Sequence, residues 1–481
     1  LAFPEAHIPE NAMRNLPRRR LPLATVCLAL FAASADMAFA APLPVSNCND
    51  HGSGSLRAAI ASAVSGDTVD IPSNLGCSKI SLTTGALAVT QDNLAISGPG
   101  AANLTITGKY TNSVGSSSTE HYRIVTHTGN GKLEISGLTL SKGYLVTTGG
   151  TPANGGCVYS AGILRVENSA AVLCTAKSDI AYSAGGALFA KKGMYVGHSK
   201  VSYNTADSGS GSSSGGGIAA ENYLIAKYDT ISFNTAGNST THKGNFGGFL
   251  AVHNGAAPSS MLYNIIGSST ISHNYASQLI GGGGVVGTVS TLIDNVTVAN
   301  NTTVGDVGGL YLQGLYNSVA NSTIAFNTAG TNAMAAGVQF RGYSAGAKVN
   351  LYSTIASNNY VGAGPAPDVG ASNVTVTGSN NLVRFPGTTM PQDTLGACPL
   401  LAPLDDYGGD AQTIKLLGRS PAIDRGNNVV PDLNFDGRGP GFPRSSGPPH
   451  GSAVPDIGAY EVNRADEIFD NTFDAGCPAE N

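Results

Sequence analysis

The chain has no tryptophan, and only 12% of its 481 residues are charged, about half the usual share. Disorder needs high charge and low hydrophobicity, and the 41% apolar content argues for a folded chain. A net charge of −5 offers no concentrated basic face, which excludes nucleic acid as a partner and gives no polybasic signal for a membrane surface. No two cysteines stand at the C-x-x-C spacing of zinc or dithiol redox sites. No segment after residue 40 is apolar for long enough to span a bilayer. What abounds is glycine, 63 residues, about twice an average usage of roughly 7%. With Ser, Thr, Asn and Ala beside it, that profile suits stacked β-structure with many tight turns.

Residues 1–40 read as an export leader. Met13 is followed by Arg14 and Arg18-Arg19-Arg20, then by the apolar stretch Leu21 to Phe31. Ala38-Phe39-Ala40 places small residues where a signal peptidase reads, so a mature chain beginning Ala41-Pro42 is expected, with Leu1 to Ala12 lying upstream of the start. Cys27 lacks the small residue that precedes a lipoprotein cysteine. The expected location is secreted, or at a bacterial cell surface. Six cysteines then remain, an even count that predicts disulfides in an exported chain. Cys48 with Cys77 and Cys157 with Cys174 are the near pairs, leaving Cys398 with Cys477.

Two short patterns alternate from about residue 150 to 360. One is a glycine pair before an apolar residue, as in Gly155-Gly156-Cys157-Val158, Gly185-Gly186-Ala187-Leu188, Gly216-Gly217-Ile218, Gly247-Gly248-Phe249, Gly283-Gly284-Val285 and Gly308-Gly309-Leu310. The other is a β-branched run ending in Asn, as in Thr230-Ile231-Ser232-Phe233-Asn234 and Thr323-Ile324-Ala325-Phe326-Asn327. Copies recur about every thirty residues, a repeat-protein period. The β-branched alternation favours a strand with one buried face, and Asn tolerates a left-handed corner. One coil cannot bury its own apolar face, so the coils must stack. Stacking predicts a ladder of side-chain hydrogen bonds through Asn204, Asn234, Asn274, Asn300, Asn327 and Asn358.

These tetrapeptides resemble the repeats of polymorphic outer membrane proteins and related parallel β-helix proteins, which implies a right-handed coil. Gly54-Ser55-Leu56-Arg57-Ala58-Ala59-Ile60 resembles an N-terminal Cys-Ser-Leu-Arg-Glu-Ala-Ile motif, with Gly54 and Ala58 as departures. That resemblance implies a short capping helix, whose apolar positions Leu56, Ile60 and Val64 fall at helical spacing. Ser420-Pro421-Ala422-Ile423-Asp424-Arg425-Gly426, Asp436-Gly437-Arg438-Gly439 and Asp456-Ile457-Gly458-Ala459-Tyr460-Glu461 resemble the C-terminal part of choice-of-anchor Q surface proteins. The segment Ile468 to Asp474 resembles a terminal segment of exported proteobacterial proteins. The expected architecture is all-β: a right-handed parallel β-helix over 71–397, behind a cap segment at 41–70, followed by a C-terminal cap at 398–464 and a tail at 465–481.

No catalytic set stands out. The repeat-region carboxylates Asp179, Asp207, Asp229, Asp294, Asp306 and Asp368 are isolated in sequence, and stacking would have to bring Asp207 to Asp229 or Asp294 to Asp306 for paired acid–base work. His198, His253 and His273 read as surface or turn residues. A line of exposed Tyr would stack on sugar rings. Asp432, Asn434 and Asp436 have the opening spacing of a calcium loop, but Pro443 stands where the closing Glu belongs, so a Gly-closed turn is the preferred reading and calcium the alternative. Asp424, Arg438, Arg444, Asp456 and Glu461 predict a charged network in the C-terminal cap. The expected function is non-enzymatic adhesion to surface glycans or extracellular matrix. The alternatives are a polysaccharide lyase or glycoside hydrolase, and a structural envelope component.

Overall fold

The computed structural model describes residues 42–108, 121–237, 243–253, 263–362, 364–427, 433–445 and 454–462. The leader and its cleavage point, Asp432, Cys477 and the tail lie outside them. No described helix is long and apolar enough to cross a membrane.

The strands wind as a parallel β-helix. One coil runs through five sheets in turn: Ile163–Glu167, Ala170–Val172, Thr175–Ser178, Ser183–Ala184 and Leu188–Ala190. The next coil begins at Gly193–Gly197, hydrogen-bonded in parallel beneath Ile163–Glu167. We call these the first to fifth sheets. The first holds twelve strands among the described residues and the second eleven. In the second sheet the middle residue of each three-residue strand points inward: Val201, Ile231, Ile271, Val298 and Ile324 are fully buried and stack in register. Burying a side chain of this size contributes about 1.5–3 kcal/mol, so the interior column outweighs any single rung.

The glycine pair sits at the corner between the fourth and fifth sheets. Gly156, Gly186, Gly216, Gly247, Gly281 and Gly308 share one position, where a Cβ would strike a carbonyl of the next coil. Gly283 and Gly284, expected at that corner, instead lie within the strand Gly283–Gly287. Gly281-Gly282 takes the corner, because register with Gly308-Gly309 is set by the strand pairing Gly283↔Leu310.

The asparagine ladder exists, with two members displaced. Asn204 Nδ2 donates to Asn234 Oδ1 at 2.9 Å, Asn234 to Asn274 at 3.0 Å, Asn274 to Asn301 at 2.9 Å, Asn301 to Asn327 at 2.9 Å and Asn327 to Asn359 at 2.9 Å. Asn300 and Asn358 are therefore not rungs. Each takes the corner one residue earlier, at φ of 56° and 57°, where Tyr203, Phe233 and Phe326 stand in other coils. Each ladder Asn also accepts a backbone N–H from the preceding coil and donates to a strand carbonyl, as Asn274 does to Ile231. Asp368 ends the column, accepting from Asn359 Nδ2 at 2.8 Å and from the Phe385 N–H at 2.9 Å. Cys174 starts it, giving its N–H to Asn204 Oδ1.

A second ladder runs at the corner between the first and second sheets. The N–H of Leu138 donates to Ser169 Oγ, that of Ser169 to Ser199 Oγ, that of Ser199 to Asp229 Oδ1 and that of Asp229 to Ser269 Oγ. It resumes through Ser322, Thr354 and Asn381. Both ladders satisfy buried backbone donors that the corners would otherwise orphan.

At the amino end, α1 (Leu56–Ser62) closes the coil. Ser55 caps it by accepting from the Ala58 N–H, and Leu56, Ala59 and Ile60 are buried. Val64, expected on the same face, lies beyond the helix and is 65% exposed. Arg57 binds Asp50 at 2.6 Å and the carbonyls of Gly85 and Ala86. Burial alone would raise the Asp50 carboxyl; Arg57, Thr84 and Thr83 outweigh it and hold it well below the usual carboxylate range. Cys48 bonds to Cys77 beside this cap, and Cys157 to Cys174 in the coil. Cys398 is disulfide-bonded as well, while its expected partner lies outside the described residues.

The C-terminal segment folds back along the flank of the coil. Its hairpin Leu401–Asp405 and Thr413–Leu416, with Ala422, Ile457, Tyr460 and Val462, packs on Ala299, Ala325, Ile355 and Leu382, all on the outer face of the second sheet. Thr270 Oγ1 donates to the Gln412 carbonyl, Asn295 Nδ2 to that of Phe435, and Ser353 Oγ to that of Asn427. The expected charged network is internal to this segment. Arg438 grips Asp436 at 2.6 Å and the Glu461 carbonyl at 2.7 Å. Arg444 donates to the carbonyls of Asp456 and Gly458. The Asp424 N–H donates to Asp456 Oδ1 and the Asp456 N–H to Glu461 Oε2. Both Asp436 oxygens accept hydrogen bonds, from the Arg438 side chain and from the N–H groups of Arg438 and Glu461, so Asp436 is the ion-pair partner of Arg438. The Asn434 carbonyl accepts from the Arg444 N–H across the same turn.

Candidate functional site

The second sheet is bordered by two rows of left-handed corners. On the first-sheet side stand Asn168, His198, Tyr228, Ser268, Asn295, Asn321, Ser353 and Asn380; on the third-sheet side stand Leu173, Tyr203, Phe233, His273, Asn300, Phe326 and Asn358. The reversal of φ throws these side chains outward at every rung. On the second row Tyr203, Phe233 and His273 stack face to face at 4.8 and 4.6 Å. Their ring faces are consumed by one another, so the expected platform for sugar rings is not offered by the middle of this stack.

On the first row the same geometry builds a cleft. His198 and Tyr228 stack at 4.7 Å. Where the C-terminal segment reaches this corner, His198 Nδ1 meets Asp410 Oδ2 at 3.3 Å, with both side chains about half exposed, 44% and 50%. The hollow between them measures about 500 Å3 and is lined by Asn168, Ala170, Lys200 and Thr230 as well. The segment positions Asp410 through its backbone, whose N–H donates to the Arg438 carbonyl. Gly409, at φ 83°, lets that carbonyl approach where a Cβ would collide with it, and Gly439 packs on the Tyr228 ring. The Asp436–Arg438 ion pair thus supports the cleft at one remove.

Such a site has three chemical resources: an imidazole–carboxylate pair, an ammonium group on Lys200, and an aromatic wall at Tyr228. Its lining is mostly polar, with the Tyr228 ring and the alanines Ala101 and Ala170 as its apolar part.

The other candidate residues are dispersed. Asp207 lies on a third-sheet strand and Asp229 at the first corner, so the two do not pair. Asp294 ends a first-sheet strand, whereas Asp306 falls between the third-sheet strand Thr302–Thr303 and the bridge at Val307. Asp229 serves the second ladder, and burial pushes its carboxyl well above the usual range, with Glu167 adding to the shift. Burial raises Asp368 to about 7 despite the Asn359 and Phe385 donors. His198 and His273 are corner residues as expected, but His253 is buried. Among the described residues no three His, Cys, Asp or Glu side chains converge as a metal site. Sequence reasoning missed the cleft because Asp410 is over two hundred residues from its partner; the only local signal was the pair of glycines before it.

The fold places this chain in the class of parallel β-helix proteins. No family model and no curated protein matches it. Among solved structures it is similar to pectate lyase Pel9A, at 12% identity and a TM-score of 0.44, over 88% of this chain and 98% of that one.

Proposed function

We propose that this is an exported, surface-associated glycan-binding protein that holds saccharide in the cleft beside His198. The carrying observation is the lining: Asn168, Lys200, His198, Thr230 and Asp410 surround the Tyr228 ring with donors and acceptors in a hollow of about 500 Å3. Sugars present hydroxyls at their edges, and this polar lining meets them with donors and acceptors, while the stacked His198–Tyr228 pair forms an aromatic side of the hollow. The leader pattern and the cysteine usage support export. The ion pair and turn built by Asp436, Arg438 and Arg444 support the resemblance of the C-terminal segment to choice-of-anchor Q surface proteins.

One observation favours a second reading, a polysaccharide-cleaving enzyme: a His–Asp pair at the mouth of a cleft is a plausible proton-transfer unit. A glycan array combined with a degradation screen separates the two. Binding without product, weakened by His198→Asn and Lys200→Ala, is the expected result. Release of reducing ends or unsaturated products, abolished by His198→Asn, would replace adhesion with catalysis. An array with no binding to the purified mature protein would overturn the glycan reading.

A further inference from the structure

We infer a second saccharide site, separate from the His198 cleft, at the amino-side end of the aromatic stack Tyr203–Phe233–His273. The rings cover one another in the middle of the stack, but the first ring is open. Phe233 covers one face of Tyr203 at 4.8 Å, yet Tyr203 stays 51% exposed. The corner on the next rung toward the amino end is Leu173 and not a ring, because Val172 pairs with Ser202. The corner beyond it is Lys142, since Ser141 pairs with Val172. A hollow of about 350 Å3 opens here, lined by Lys142, Tyr144, Leu173, Thr175 and Tyr203. It lies on the opposite border of the second sheet from the His198 cleft and shares no lining residue with it.

Leu173 stands at φ 58° with 51% of its surface exposed. A left-handed conformation is costly for leucine, and an exposed leucine adds nothing to the core. Asn at this corner would avoid both costs, as Asn300 and Asn358 do further along the row. An apolar side chain held outward at a strained corner is of use where a ligand covers it. Tyr144 pairs with Thr175 in the third sheet, and Thr175 with Thr205. Tyr144 is therefore two rungs from the rung of Tyr203, about 10 Å at the strand spacing. A flat ring in the hollow meets Tyr203 on one side and Tyr144 on the other, with Leu173 between them. Tyr144 is braced edge-on by His121 at 5.1 Å. Thr175 and Lys142 add a hydroxyl and an ammonium group to these apolar walls. A pyranose divides its surface in the same way, with C–H groups on its faces and hydroxyls around its rim, so a sugar ring uses both parts of the lining. A plain aromatic guest would use the walls alone. None of this depends on the first cleft binding sugar.

The test is saturation-transfer NMR of the purified protein with cellobiose, β-1,4-mannobiose and α-1,4-digalacturonate, followed by calorimetric titration of the sugar that binds. The expected signature is saturation concentrated on the C–H protons of one sugar face. Tyr203→Asn, which keeps a residue tolerant of the left-handed corner, should weaken this binding about tenfold. Tyr203→Phe, which keeps the ring, should retain it. Leu173→Asn should weaken it about fivefold while melting no lower than the wild type, which separates a binding role from a folding one. Lys200→Ala should leave it unchanged, so failure of the His198 cleft and failure of this site give different patterns. Binding that survives Tyr203→Asn and Leu173→Asn but is lost in Lys200→Ala overturns the second site and leaves the cleft. Tighter Tyr203-dependent binding of 4-hydroxybenzoate than of any sugar overturns the saccharide assignment. If none of the three sugars is saturated on the wild-type protein, the site is overturned as well.

Discussion

Replacing Asn301 by alanine should destabilise the coil far more than replacing its neighbour Asn300. Asn301 Oδ1 accepts from both the N–H and Nδ2 of Asn274, while its Nδ2 donates to the Ile271 carbonyl and to Asn327 Oδ1, all in a fully buried setting. The alanine variant leaves the Asn274 N–H and the Ile271 carbonyl without these partners. At about 1–3 kcal/mol for each orphaned buried group, the expected loss is about 4 kcal/mol. Asn300 only meets His273 Nε2 at 3.3 Å from an exposed corner. Its variant pays mainly for alanine in a left-handed conformation, about 1 kcal/mol. Urea melts followed by circular dichroism would compare the two midpoints at matched slope. If Asn300→Ala equals or exceeds Asn301→Ala, the ladder assignment is wrong.

Gly281→Ala places a Cβ 2.5 Å from the Gly308 carbonyl and 2.8 Å from the Thr302 nitrogen, so the variant should lose several kcal/mol or fail to accumulate. Gly418→Ala, with open space around it, should express and melt as the wild type does. Stability should fall as pH rises. Burial raises Asp368 to about 7 and Asp456 to about 6, while burial and the neighbouring Asp456 raise Glu461 to about 9. The folded state therefore holds protons that the unfolded chain releases near pH 4, and this contribution, full below that pH, is lost as pH climbs through the folded values. The urea midpoint should be higher at pH 5 than at pH 8, and Asp368→Asn should flatten part of that slope; an unchanged or inverted slope contradicts the assignment.

The repeat, its period and the inward Val–Ile column were legible because each coil repeats the same burial demand. Position within a doubled letter was not. Asn300-Asn301, Asn358-Asn359 and Gly281 to Gly284 each offer more than one residue of the right type, and only pairing with the neighbouring coil selects one. The second ladder was obscured by chemistry: Ser, Asp, Thr and Asn all serve it, so no single letter recurs, although a small polar residue does precede Lys200, Thr230, Thr270 and Thr323. The C-terminal motifs were visible as a unit. Their placement on the flank was not, because it depends on Ala299, Ala325 and Ile355 facing outward, which a strand pattern does not declare. The His198–Asp410 cleft inherits that invisibility.

The asparagine column has one further consequence. Successive rungs are 30, 40, 27, 26 and 32 residues apart from Asn204 through Asn359, counted with the Cys174–Asn204 interval also at 30. Every rung nevertheless passes the same donor and acceptor to the next. The hand-off is indifferent to how much chain loops out between rungs, provided each turn returns one amide to the column. Excising a whole coil before Thr270, or inserting one there, leaves no mismatched bond in the asparagine column, whereas removing a few residues from within a strand shifts every contact after it. Length along this molecule is thus counted in rungs, and the coils ahead of the ones that hold the C-terminal segment are the stretch where whole turns can be added or removed without touching that segment.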